Sequence, residues 1–463
     1  MKNKYIDLIE QTFYFPQNGF EVKDNYLHFH DLPLKDLIEE YGTPLRISFL
    51  PKISSQIQKA KTLFNNAIKK VNYDGKYIYC YCTKSSHFSF VIDEVLKNDA
   101  HLETSSAFDV DLIMNLYRKG KIDKNIYIVS NGFKPEAYTD KLAGLVNDGF
   151  ENIIPVLDNM NELNAYEQKI QKNCKIGIRI AAEEEPNFEF YTSRLGIRYN
   201  DILKFHEEKL HNHPKFNLNM LHFFINTGIR DSTYYWSELH KAIKLYVELR
   251  KKCPTLNRLN IGGGMPIQYS LGFEFDYAYM IEEIVSQIQS ACKEANVPVP
   301  DIFTEFGNFT VGESGIMIFS VLREKLQNDS ENWYMIDGSL MTTLPDIWGI
   351  SQRFILLPIN KWKNEYQRVN IGGLSCDIHD YYNAEAHLNQ VYLPKINNSE
   401  PLHLGFFHVG AYQDQMSGYG GIKHCLIPSP KYVLVQKKED GSFEHRLFAN
   451  EQTADSMLNI LGY

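Results

Sequence analysis

Residues 76–84 read KYIYCYCTK, an aromatic and β-branched run that stops at a polar turn carrying Lys84. Short apolar runs bounded by turn residues read as buried strands. The same texture returns at HLETS (101–105), IYIVS (126–130), NIIPVLD (152–158), KIGIRI (175–180), MLHFFIN (220–226), RLNIGG (258–263) and DIFTEFG (301–307), which makes eight runs. Amphipathic stretches separate them. In DYAYMIEEIVSQIQSACKEA, Ile281, Ile284, Val285 and Ile288 share one helical face, and PKISSQIQKAKTLFNNAIKK ahead of the first run carries Ile53, Ile57, Ala60, Phe64 and Ile68 in the same way. Strands that alternate with helices need right-handed crossovers and build a parallel sheet, and eight such units close into a barrel. The predicted fold is α/β, a (β/α)₈ TIM-type barrel. An open doubly wound sheet is the alternative, weakened because no G-x-G-x-x-G follows the first run.

After Gly315 the texture changes to strand-like runs broken by turn residues, among them RFILLPI, QVYLPKI and KYVLVQKKEDGSFEHRLF. The expected organisation is therefore a barrel over 41–315 and a β-rich domain over 316–463. Residues 1–40 fit neither pattern and are assigned as a segment packing with the β domain.

The 463 residues, 44% hydrophobic, suffice for two domains. A net charge of -9 lacks the cationic surplus that nucleic-acid binding requires, so no nucleic-acid partner is expected. The seven cysteines are odd in number and scattered, which argues against a disulfide framework and for a reducing, cytoplasmic compartment. Cys80 and Cys82 have no partner pair at zinc spacing, so no metal is expected. No apolar run reaches the ~18 residues of a membrane span, and the amino terminus lacks a signal-peptide core, so no membrane partner is expected.

Barrels of this kind carry their chemistry at the C-terminal ends of the strands. Lys84 follows the first run, where a partly desolvated amine is suited to imine formation with an aldehyde. Gly262, Gly263 and Gly264 end the seventh, where backbone N–H groups can approach a phosphate. Glu305 closes the eighth, placed to pair with a protonated ring nitrogen. His222 lies in the sixth, placed to stack on a flat ring. Each has a plainer reading: a solvated lysine, an ordinary glycine turn, a surface glutamate, a core histidine. Their conjunction at one barrel mouth is what points to pyridoxal 5'-phosphate as the cofactor.

With these residues in view, the sequence resembles the fold-type III pyridoxal-phosphate decarboxylases, the family of biosynthetic arginine, ornithine and diaminopimelate decarboxylases, whose architecture is alanine racemase-like. The resemblance spans both domains. It implies that Lys84 anchors the cofactor, that His222 stacks on it, that Gly262–Gly264 hold its phosphate and that Glu305 faces its ring nitrogen. Glu103, Ser105 and Asp109, in LETSSAFDV, resemble the family's segment after the second strand, and HFFINTG places Asn226 with His222. In the β domain GGLSCDIHD resembles the family's Cys-Asp motif and GAYQ its tyrosine motif. By resemblance Cys376 and Asp377 enter the site of a partner subunit in a homodimer, and Tyr412 reaches the phosphate. The stretch LPDIWGISQRF is similar to the biosynthetic arginine decarboxylases in particular, which makes Asp346 a candidate for the substrate's cationic end. One departure stands out. Asn308 occupies the position where the family usually has Arg, which removes a charged phosphate contact. The chain is also shorter than a typical bacterial arginine decarboxylase.

The expected activity is decarboxylation of a basic L-amino acid, arginine to agmatine in polyamine and spermidine biosynthesis, with Lys84 and Cys376 catalytic. The alternatives are an ornithine, lysine or carboxynorspermidine decarboxylase, or a catalytically silent regulatory homologue.

Overall fold

The computed structural model describes residues 15–183, 192–225, 228–230, 232–385, 389–396 and 400–463. The chain divides into two compact units. One comprises Ser54–Pro266 and Phe275–Thr310, the other Met1–Ile53, Ile267–Glu274 and Val311–Tyr463.

The first unit is a closed, wholly parallel barrel of eight strands: β1 (Tyr77–Cys82), β2 (His101–Thr104), β3 (Ile128–Ser130), β4 (Ile153–Leu157), β5 (Cys174–Ile180), β6 (Phe216–Phe223), β7 (Arg258–Asn260) and β8 (Asp301–Phe306). Closure is made by β8 against β1, with Glu305 opposite Cys80. Each strand overlaps one of the eight runs read from the sequence, with β6 starting four residues ahead of its run at Phe216. Helices intervene, and their buried faces follow the 3.6-residue period: Met280, Ile281, Ile284, Val285, Ile288 and Cys292 lie inward on Tyr277–Glu294, whose first turn is capped by Asp276 accepting from the Tyr279 N–H.

Inside the barrel, Cys80, Val129, Ile154, Val156, Met220 and Phe303 form an apolar layer. Each such side chain removed from water contributes roughly 1.5–3 kcal/mol, so this plug supports whatever lies above it.

The second unit is β-rich. Its longest strand, Gly315–Asn328, pairs antiparallel with Leu45–Phe49, His403–Phe407 and Glu331–Ile336. Lys431–Lys437 runs parallel to Leu45–Phe49 and pairs with Phe443–Ala449. A three-stranded sheet, Phe20–Lys23, Tyr26–Phe29 and Leu32–Pro33, contributes Phe20, Leu27, Phe29 and Leu32 to the same core. The boundary expected at residue 41 therefore moves: the strand Leu45–Phe49 belongs to this unit, because its pairing partners lie here.

Candidate active site

Alternation along a strand puts residues i and i+2 on one face. Two places beyond the apolar layer, the barrel interior therefore changes character: Cys80 is followed by Cys82, Val129 by Asn131, Val156 by Asp158, Met220 by His222 and Phe303 by Glu305. The polar layer is a direct product of strand register. Lys84 is one further step along the chain from Cys82, in the short turn Thr83–Ser85.

Two carboxylates organise this layer. Glu103, fully buried on β2, accepts from Lys84 Nζ at 3.4 Å, while the lysine side chain stays 46% exposed. The Asn131 amide donates both to Glu103 Oε1 at 3.1 Å and to Glu305 Oε1 at 2.8 Å, so one side chain spans the two acids. Asn260 also donates to Glu305 Oε1, and His222 Nδ1 lies 3.4 Å from the same oxygen without forming a hydrogen bond. Burial pushes the carboxyls of Glu103 and Glu305 above the usual range, and the nearby Lys84 charge only partly offsets it. Burial, then the Arg179 charge, holds the His222 imidazole down at about 3, so its ring is neutral at physiological pH.

The Lys84 turn is fixed from below. Thr83 Oγ1 donates to the Glu103 carbonyl and to Asp109 Oδ1, both at 3.0 Å, and His87 Nε2 meets the same Asp109 oxygen at 2.9 Å. The Ser105 N–H donates to Asp109 Oδ2 at 2.9 Å. Asp109 thereby ties the turn after β1 to the turn after β2.

The glycine run follows β7. The Gly262 N–H donates to Asn260 Oδ1 at 2.9 Å, which commits it within the run. A Cβ on Gly263 would meet the Glu305 carbonyl at 2.5 Å, and one on Gly264, whose φ is +88°, would meet Gly228 Cα at 2.7 Å. Only glycine lets this backbone approach both the end of β8 and the loop after β6. Asn308 begins the turn after β8, three residues beyond Glu305.

The sequence candidates Lys84, Glu103, Ser105, His222, Gly262–Gly264, Glu305 and Asn308 thus all belong to the barrel unit, at the C-terminal ends of their strands. Asn226 lies outside the described residues. Cys376, Asp377, Asp346 and Tyr412 belong to the second unit. There, Asp346 is buried and accepts from Gln413 Nε2 at 2.6 Å; burial raises its carboxyl. Tyr412 takes a left-handed backbone, φ +67°, at the head of the helix Gln413–Met416. Cys376 is exposed, and Asp377 pairs with His379 at 3.1 Å.

Sequence reasoning passed over Asn131, Asn260 and Arg179. All three carried a usable signal: Arg179 and Asn260 are polar residues inside apolar strands, and Asn131 follows β3 as Lys84 follows β1.

The barrel thus gathers an amine, two buried acids, a neutral imidazole and a side-chain-free loop at the C-terminal ends of its strands. The family described as "Pyridoxal-dependent decarboxylase, pyridoxal binding domain" matches residues 52–312, and the chain belongs to that family. Among curated proteins, it is 23% identical to arginine decarboxylase 2 of Arabidopsis thaliana over 86% of this chain and 70% of that protein. It is 21% identical to the biosynthetic arginine decarboxylase of Bacteroides thetaiotaomicron over 91% of this chain and 85% of that one. The biosynthetic arginine decarboxylase of Campylobacter jejuni shares the fold with a TM-score of 0.79, at 20% identity over 96% and 89% of the two chains. A diaminopimelate decarboxylase of M. jannaschii, solved with L-lysine, gives 0.76 at 18% identity over 95% and 96%.

The residues present fit pyridoxal phosphate. Glu305 is buried with its carboxyl raised, a state that a cationic ring nitrogen would reverse. His222 Nδ1 is a buried polar atom without a hydrogen bond, and the glycine run that follows β7 carries no side chain to cover its N–H groups.

Proposed function

We propose that this chain decarboxylates L-arginine to agmatine and CO₂, with pyridoxal phosphate anchored on Lys84. The observation that carries the reading is the chain of contacts from Lys84 through Glu103 and Asn131 to Glu305, which lays an amine and a ring-nitrogen partner across one barrel mouth. When bound, the cofactor supplies an electron sink for the bond that loses CO₂.

The chain's own groups do the rest. Lys84, held by Glu103, would anchor the cofactor's aldehyde carbon. Glu305, which accepts from Asn131 and Asn260, would face the ring nitrogen and hold the proton there. His222, neutral, would cover a ring face without adding charge. The N–H groups of Gly263 and Gly264, with Asn308, would hold the phosphate, and Tyr412 is its side-chain partner by the family resemblance alone. Cys376 returns a proton to Cα, and Asp346 and Asp377 attract the guanidinium.

Arginine is favoured over ornithine, lysine and carboxynorspermidine because the relatives that span most of this chain carry that activity, and because Asp346 is a buried carboxylate in the stretch that is similar to theirs. A homodimer with shared sites is supported by apolar exposure: Ile378 is 82% exposed beside Cys376 and Asp377, and Phe108 is 82% exposed in the segment after β2. A cytoplasmic place in polyamine supply follows from the cysteine usage and the product. Among the described residues no helix is long and apolar enough to cross a membrane.

The test is turnover of arginine, ornithine, lysine and carboxynorspermidine by the purified holoenzyme, read as CO₂ release with product identification. The expected result is agmatine at a kcat/KM at least about tenfold above the other products. Absence of agmatine would overturn the substrate, and absence of any CO₂ would revive a silent homologue.

A further inference from the structure

The β unit brings three soft or borderline ligands together far from any metal-binding sequence spacing. Cys376 Sγ and Cys425 Sγ are 3.4 Å apart although 49 residues separate them. His424 joins them, and the ligand atoms of all three side chains lie within 4.8 Å of one another, all exposed. Cys425 holds a left-handed backbone, φ 54° and ψ 19°, and Leu426 follows at φ 53°, a conformation that residues with side chains rarely adopt. It turns two adjacent residues toward one point.

Two thiols and an imidazole are the donor set preferred by zinc-class cations, and three protein ligands leave a fourth tetrahedral position open. With metal–sulfur bonds of about 2.3 Å, two thiolates on one tetrahedral ion lie about 3.7 Å apart, so the sulfurs need separate only slightly. A disulfide would instead require them to close to about 2.05 Å, would need an external oxidant and would leave His424 with no part to play.

We propose that Cys376, His424 and Cys425 form a three-ligand site for a soft divalent cation such as zinc. On binding, both thiols lose their protons to solvent and the two sulfurs and the imidazole bond to the ion, whose charge they neutralise. The binding itself stands apart from the decarboxylase reading. Its consequence rests on that reading: an ion on Cys376 removes the thiol assigned to protonate Cα, so zinc inhibits the enzyme reversibly.

The experiment uses full-length, reduced holoenzyme stripped with a chelator and titrated with Zn²⁺ against a chromogenic competitor, with X-ray absorption at the zinc edge. The expected result is one tight Zn²⁺ per chain with both sulfur and nitrogen neighbours, and an affinity lowered at least about tenfold in Cys425→Ser and in His424→Ala. Equal binding by wild type and variants, an edge spectrum without sulfur, or conversion of the pair to a disulfide that takes up no zinc would each overturn the site. Stoichiometric, sulfur-ligated zinc with undiminished decarboxylation supports the site and counts against Cys376 as the proton donor, which keeps the two claims separable.

Discussion

Glu305 is pulled in two directions by its surroundings. Burial raises its carboxyl, while the amides of Asn131 and Asn260 and the charge on Lys84 work in the opposite direction. Removing one amide takes away a stabiliser of the ionised form, so the carboxyl rises further and is protonated over more of the acidic range. For Asn131→Ala the acidic limb of the kcat/KM profile is therefore expected to move to higher pH, with a loss of about tenfold below neutrality and less above it, since a hydrogen bond to a charged group is worth about 1.5–3 kcal/mol. A pH–rate series on wild type and variant checks this. An unchanged profile would mean that Asn131 serves only the fold.

At the scale of the element, the turn that follows β7 depends on having no side chains. A Cβ at Gly263 would press on the Glu305 carbonyl, which is strand backbone and cannot swing aside. Gly263→Ala is expected to cost about 1–3 kcal/mol in thermal unfolding and to weaken cofactor retention, measured by titrating pyridoxal phosphate into the apoprotein. The strands themselves were legible in the sequence because barrel strands are buried on both faces and read as continuous apolar runs. Lys84, His222, Glu305 and the glycines could be placed for the same reason: a strand end is a position in sequence. Asn131 and Asn260 stood out in the sequence only as polar residues at strand ends; what they do depends on contacts across the barrel to Glu305, 174 and 45 residues away. The strand Leu45–Phe49 was misassigned on similar grounds. It lies next to the barrel in sequence, but its partners are Gly315–Ile318 and Lys431–Val435, and no local pattern encodes such pairing.

For the whole molecule, the division of labour between the two units makes a definite demand. Lys84 belongs to the barrel unit and Cys376 to the β unit. If one subunit lends Cys376 to its partner, inactive Lys84→Ala and Cys376→Ala proteins refolded together must rebuild one intact site in each mixed dimer. Recovery of about a quarter of wild-type activity is expected from random pairing of a two-fold dimer. No recovery, with mixed dimers demonstrated, would place both residues in the same subunit's site.

The most direct measurement is borohydride reduction of the purified holoenzyme followed by peptide mapping. A single pyridoxyl-phosphate adduct is expected on the peptide containing Lys84, lost in Lys84→Ala together with the visible absorbance. An adduct on another lysine, such as the buried Lys134 that pairs with Glu162, or no adduct on a protein that still releases CO₂, would contradict it.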